Sequence, residues 1–353
     1  MKIILISLLF LVPFGCTSKP VFDQKQVQVD PPQDVTFNLE KRLQKITFAS
    51  CANQDAPQPL WQNILNEKSD LFLFLGDNVY ASHPKQQPIS AQYDKLSQIS
   101  DYATLRKTTP TLAIWDDHDY GLNDAGAENP LKHEAKQEFL RHWPYVQKQL
   151  SPTQSGIYHA MTWGPQKQEI QFLFLDTRWE RSPLVKAKNP LNPFHKFDPN
   201  TDPKSTILGE EQWTWLEQEL QKPARLRVLI SSIQLIPAQH GFEKWANFPH
   251  ERKRFFALLE KYKINNLIIL SGDRHIGTMA KTKLKNGTEL YEVTASAINR
   301  PGNFNEKDPT YLGANIPDEN YGVMTVDWEQ KTVHLSLKNK NNETPLSTKI
   351  RFQ

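Results

Sequence analysis

The chain opens with a strongly apolar run of ten residues, Ile3 to Val12, and then stays polar to about residue 42. A membrane-spanning helix needs roughly twice that length, so the run, with Lys2 before it, reads as the hydrophobic part of a signal peptide. Beyond it, short apolar runs recur at Ile46 to Ser50, Leu71 to Leu75, Thr111 to Trp115, Ile170 to Leu175, Leu226 to Ser232 and Asn266 to Leu270. Their length and their polar boundaries predict strands. Helical stretches are expected between them at Trp61 to Asn66, Tyr93 to Arg106, Lys132 to Gln149, Glu210 to Gln221 and Glu251 to Tyr262. Alternating strands and helices predict an α/β fold.

The residues just after each strand carry the chemistry. The six runs lead into Cys51, then Gly76-Asp77-Asn78-Val79-Tyr80, Asp116-Asp117-His118-Asp119, Asp176-Thr177-Arg178, Ile233-Gln234 and Ser271-Gly272-Asp273-Arg274-His275. In α/β sheets reactive groups gather beyond the carboxyl ends of the strands. One Asp or Asn after a strand is an ordinary turn residue. Six strands that each end in Cys, Asp, His, Arg or Gln form a pattern. Carboxylates, imidazole, a thiol and a phenol in one place suggest a polynuclear metal centre.

Composition narrows the class. The 353 residues hold 42 Lys and Arg against 39 Asp and Glu, a formal +3 with no block of like charge, so no nucleic-acid-binding surface is expected. Only Cys16 and Cys51 are present, which excludes a disulfide scaffold. Gly15-Cys16, directly after the apolar run, resembles the lipobox of bacterial lipoproteins, although Pro13 stands where an aliphatic residue is usual. That resemblance implies lipidation of Cys16, which becomes the mature N-terminus, and a place in the cell envelope on the periplasmic face of the outer membrane or the cell surface. The expected division is a signal peptide over 1–16, a flexible tether over 17–42 and one catalytic domain over 43–353, acting as a monomer and touching the membrane through its lipid.

The segments Phe48-Ala49-Ser50-Cys51, Phe74 to Tyr80, Trp115 to Asp119, Leu175 to Arg178 and Ser271 to His275 resemble, in order and combination, the PhoD-like alkaline phosphatases and phosphodiesterases among the calcineurin-like metallophosphoesterases. The resemblance implies a metallophosphoesterase-like β-sandwich flanked by α-helices, with Gly322 to Asp327, Thr332 to Leu337 and Ser347 to Phe352 completing the second sheet as antiparallel strands. It implies that Cys51, Tyr80 and His275 bind ferric iron, that Asp77 bridges two ions, and that Asp273 with Asp116 or Asp117 binds calcium. His118 is implied as the proton donor to the leaving alkoxide and Arg178 as a phosphate clamp. Asn78, where some members carry arginine, and His240 are implied substrate contacts. The reaction so implied is attack of a metal-held hydroxide on a phosphate mono- or diester, either a small molecule or a phospholipid headgroup, for phosphate scavenging. A phospholipase D-like or wall-polymer phosphodiesterase is the alternative, and a catalytically retired lipoprotein acting as a binding module is the alternative of another class.

Cys51 as a thiol nucleophile with His118 as base explains neither Tyr80 nor the carboxylates. His83, His133, His142, His159, His195 and His334 read as surface or loop residues. The proline-rich stretch from Ser182 to Thr206 reads as a long irregular loop, and such loops are commonly lids or shape a substrate site.

Overall fold

The computed structural model describes residues 34–81, 88–189 and 191–352. The signal peptide, Cys16, most of the tether and His83 lie outside the described residues. Fourteen strands are described: β1 (Lys45–Ala49), β2 (Leu71–Leu75), β3 (Thr111–Ile114), β4 (His159–Trp163), β5 (Ile170–Phe174), β6 (Val185–Lys186), β7 (Phe197–Asp198), β8 (Leu226–Ile230), β9 (Leu267–Ser271), β10 (Gly277–Lys283), β11 (Glu289–Ala295), β12 (Asn320–Asp327), β13 (Thr332–Asn339) and β14 (Leu346–Arg351). The helices are α1 (Leu60–Asn66), α2 (Ile89–Ser97), α3 (Ser100–Thr108), α4 (Asp117–Tyr120), α5 (Lys132–His142), α6 (Pro144–Gln147), α7 (Gly209–Gln221) and α8 (Pro249–Lys261). Among the described residues no helix is long and apolar enough to cross a membrane.

Two six-stranded mixed sheets carry the fold, in the orders β14-β13-β12-β1-β2-β3 and β10-β11-β9-β8-β5-β4. Strands β1, β2 and β3 are parallel, as are β5, β8 and β9, so their carboxyl ends point the same way within each sheet. These strands are buried along nearly their whole length because both faces are covered, which is what continuous apolar runs require. One contiguous core lies between the sheets and under α1 to α3, where Phe72 and Phe74 of β2 meet Trp61 edge-on. A second core packs Leu173, Leu229 and Ile269 under Trp213 and Leu216 of α7 and Phe255 and Leu259 of α8.

The last three strands are antiparallel as expected, but they extend the sheet that begins with β1, through pairing of β12 with β1. The second sheet is instead finished by β10 and β11, whose threonines, lysines and glutamates hide them from an apolar-run reading. The stretch from Tyr93 to Arg106 is two helices rather than one. Ile99 is extended (ψ 114°) and breaks the turn before Ser100. His142 and His159 are core residues, not surface ones: His142 takes hydrogen bonds at 2.9 Å from Tyr102 and 3.1 Å from Arg106, and His159 stacks on Phe174 with ring centroids 4.4 Å apart. The loop from Ser182 to Thr206 contains the small β6–β7 hairpin.

Candidate metal centre

Four strand ends deliver the donor groups: β1 gives Cys51, β2 gives Asp77 and Tyr80, β3 gives Asp116 to His118, and β9 gives Asp273 and His275. The first three come from one sheet and the last from its partner, so the site straddles the sandwich edge. Close approach is enforced by Gly76 and Gly272. At Gly76 φ is +108° and an added Cβ would lie 2.7 Å from the Asp116 Cβ; at Gly272 one would lie 2.5 Å from Ser50 Oγ. Cys51, Asp77, Asp273 and His275 themselves have φ of 64°, 49°, 65° and 58°, in the left-handed region that ordinary side chains avoid. Each such residue costs roughly 1–3 kcal/mol and persists only where its surroundings hold it.

The donor atoms converge in three overlapping groups whose ligand atoms lie within 4.8 Å of one another: Cys51, Asp77 and His275; Asp77, Asp117 and His118; Asp116, Asp117 and Asp273. Asp77 joins the first two groups and Asp117 the last two. Tyr80 belongs with the first, its hydroxyl 3.3 Å from Asp77 Oδ2 and 3.1 Å from His275 Nε2. Cys51 Sγ lies 3.5 Å from the same Asp77 oxygen and 3.2 Å from Ser296 Oγ.

The electrostatics fit cations. Burial pushes Asp77 well above the usual carboxylate range, with Cys51, Asp117, Asp116 and Asp119 adding to the rise, and Asp273 rises likewise through burial beside Asp116 and Asp117. Burial raises Asp116 to about 8 against the pull of Arg178. Asp117 is lowered: burial opposes its charge, but His118 and Arg178 more than offset it. Burial also lifts the Cys51 thiol to about 11, raises the Tyr80 phenol, and depresses His275 to about 3. Crowded carboxylates that resist ionisation are what a positive ion relieves. Asp116 Oδ2 and Asp117 Oδ1 are buried acceptors with no hydrogen-bond donor among the described residues, so each has a lone pair to offer a cation. Donor types and geometry therefore fit a metal centre.

Three expected substrate contacts are buried and bonded within the protein. Arg178 is fully buried. Its Nε donates to Asp116 Oδ1 at 2.6 Å and its Nη1 to Glu243 at 2.7 Å, so it is an internal brace rather than a free clamp. Asn78 is also fully buried, with Nδ2 bonded to the Ile114 carbonyl at 2.8 Å and its amide to Asp119 at 3.1 Å. His240 is buried, and its Nδ1 accepts from the Phe242 amide at 3.3 Å. The ends of β5 and β8 likewise give support rather than ligands: Asp176 receives Trp115 Nε1 and the amides of Ile157 and Arg178, and Gln234 bonds Thr278 and Thr294.

His118 is partly exposed and stacks on Tyr80, ring centroids 4.0 Å apart. Arg300, exposed, sets its guanidinium 5.0 Å from the Tyr80 ring centroid. Sequence reasoning missed it because it comes after β11, a strand interrupted by Glu289, Tyr291 and Glu292. Ser296 on the same segment holds Cys51 and receives the His275 amide at 2.8 Å. Asp119, part of the Asp-Asp-His-Asp run, takes hydrogen bonds from Tyr93 at 2.9 Å and from the amides of Asn78, Val79 and Asp116, fixing the β2 and β3 loops against each other.

A family model described as PhoD-like phosphatase matches residues 46–343. Alkaline phosphatase D of Bacillus subtilis (strain 168) is 23% identical over 306 residues, covering 74% of this chain and 51% of that protein. The chain therefore spans about half the length of the curated relative it matches. The solved structure of PhoD superposes with a TM-score of 0.67 at 19% identity, covering 91% of this chain and 69% of that one. A dimetal phosphatase from Danio rerio does so at 0.56 and 8% identity, covering 89% of this chain and 100% of that one. At these identities the superpositions show a shared metallophosphoesterase fold.

Proposed function

The chain belongs to the PhoD-like phosphatase family, and from that premise we propose that it hydrolyses phosphate mono- and/or diesters at the paired donor groups. The observation that carries this reading is the overlap of the donor groups through Asp77 and Asp117, two carboxylates each shared between neighbouring positions. Cys51, Tyr80, His275 and Asp77 would hold ferric iron, whose charge suits thiolate and phenolate donors. Asp77, Asp117 and Asp273 would hold calcium, a hard ion taken by oxygen ligands. Asp116 is the weaker ligand candidate because it belongs to one donor group, whereas Asp117 is shared by two. Bound cations supply an activated water and neutralise charge developing at phosphorus.

The protein's own groups do the remainder. His118, partly exposed beside Tyr80, delivers a proton to the leaving alkoxide. Arg300 takes the phosphate contact that Arg178 is too buried to make, its planar fork matching two phosphate oxygens. Asp119 and Ser296 hold the ligand-bearing loops in register.

The biological setting belongs to the same proposal: a lipid-anchored envelope enzyme that scavenges phosphate, acting on small phosphate esters or on phospholipid headgroups. Purified protein supplied with iron and calcium is expected to turn over p-nitrophenyl phosphate, bis-p-nitrophenyl phosphate or both. No turnover of either ester at full metal occupancy would overturn the reading in favour of a binding module.

A further inference from the structure

Six large apolar side chains are exposed among the described residues, and the two most exposed sit on one hairpin: Leu191 at 89% and Phe194 at 63%, both at the tip between β6 and β7. Val185 at the base is 40% exposed. Lys186, Lys188 and Lys196 flank the tip and are all exposed. The acid at the base of the hairpin, Asp198, is occupied by His195 at 2.8 Å and by the Lys188 amide at 3.0 Å. The tip is therefore apolar at its end and cationic on both sides.

Its base is fixed. The amides of Lys196 and Phe197 donate to the Gly241 carbonyl at 2.7 and 3.1 Å, the Asn200 amide donates to the Asn247 carbonyl at 2.6 Å, and the Lys196 ammonium lies 5.4 Å from the Phe242 ring centroid. Two residues beyond Gly241, Glu243 grips Arg178, which grips Asp116 of the metal centre. The hairpin thus stands on the same edge of the fold as the donor groups. Leu122, 39% exposed, lies there too, its amide bonded to the Asp117 carbonyl at 3.3 Å.

We propose that the β6–β7 hairpin docks onto an anionic phospholipid surface, with Leu191 and Phe194 entering the interface and Lys186, Lys188 and Lys196 meeting the headgroup charge. Apolar insertion combined with flanking cations is the physical recipe for interfacial binding. A second copy of the chain fits worse. Stable protein interfaces bury about 800 Å² per partner, far more than two side chains supply, and a two-fold contact would bring the lysines of each copy together. Docking holds the metal-centre edge at the headgroup plane, and it does not depend on whether the centre turns over.

The test uses a chain beginning at Thr17, which keeps every described residue and lacks the expected lipid site. It is co-sedimented with vesicles of phosphatidylglycerol or of phosphatidylcholine. Wild type is expected on phosphatidylglycerol, and it is expected to be released in about 1 M salt, where the Debye length is about 3 Å. Leu191→Ser with Phe194→Ser is expected to weaken partitioning at least about tenfold, as is the Lys186→Gln, Lys188→Gln, Lys196→Gln variant, while Leu312→Ser is expected to bind as wild type. Unchanged melting temperatures exclude misfolding as the cause. No wild-type sedimentation with phosphatidylglycerol, or partitioning unaltered by the serine pair, would overturn the proposal. So would a dimer that the serine pair abolishes while vesicle binding persists.

Discussion

Replacing Arg178 separates a brace from a clamp. The guanidinium lies fully buried between Asp116 and Glu243, both themselves buried. Arg178→Met keeps most of the volume but leaves Asp116 without its cation in the interior, while Glu243 keeps Arg181 at 2.9 Å. Removing one partner of a buried ion pair costs about 3–5 kcal/mol. Burial already raises Asp116 to about 8, so protonation can relieve its stranded charge and the lower half of that range is expected. For a chain of this length, about 2.1 cal/mol/K of unfolding entropy per residue converts 3–5 kcal/mol into a melting point lower by roughly 4–7 °C. The assay is a thermal melt followed by near-ultraviolet circular dichroism, run with chelator so that no cation compensates. An Arg178→Met melting point equal to wild type, together with a large rise in KM for phosphate esters, would refute the brace and restore the clamp.

Arg300→Gln is expected to behave in the opposite way, with an unchanged melting point and KM for p-nitrophenyl phosphate raised at least about tenfold, since a charge-assisted hydrogen bond is worth about 1.5–3 kcal/mol. Gly76→Ala, at φ +108° and with Asp116 Cβ 2.7 Å from the added methyl, is expected to lose bound metal, read as metal per chain after purification; full occupancy would show that the β2 turn is not what brings the two loops together. Burial holds His159 at about 4 against an ordinary 6.5, so the unfolded chain binds a proton that the folded one refuses. The stability so contributed is present above 6.5 and lost as pH falls towards 4, on the order of 3 kcal/mol at the acid end. Urea midpoints from pH 7 to 4.5 test this, and His159→Gln should flatten the slope.

The donor groups are legible in sequence because both signals are local. A five-residue buried strand must read as an apolar run, and its ligands come at once after it, as Asp77 comes after Leu71 to Leu75. The features that sequence hides depend on burial and on partners far along the chain. An arginine such as Arg178 looks like a solvent-facing fork until Asp116 and Glu243, 62 and 65 positions away, are seen to enclose it. Ser296 and Arg300 come after a strand whose paired faces carry Glu and Tyr, so no apolar run announces them. The placement of β12 beside β1 rests on pairing between segments at opposite ends of the fold, which apolar periodicity does not encode. His142 and His159 look like surface residues for the same reason, since the aromatic partners that enclose the two imidazoles, Tyr102 and Phe174, come from elsewhere in the chain.

The central claim is that Cys51, Tyr80, Asp77 and His275 hold ferric iron beside a second ion. Metal analysis joined to a visible absorption spectrum of the purified protein tests it most directly. The predicted result is iron in the preparation and a charge-transfer band from thiolate and phenolate to the ion, shifted or abolished by Tyr80→Phe. A colourless, iron-free protein that hydrolyses phosphate esters at full rate would contradict it.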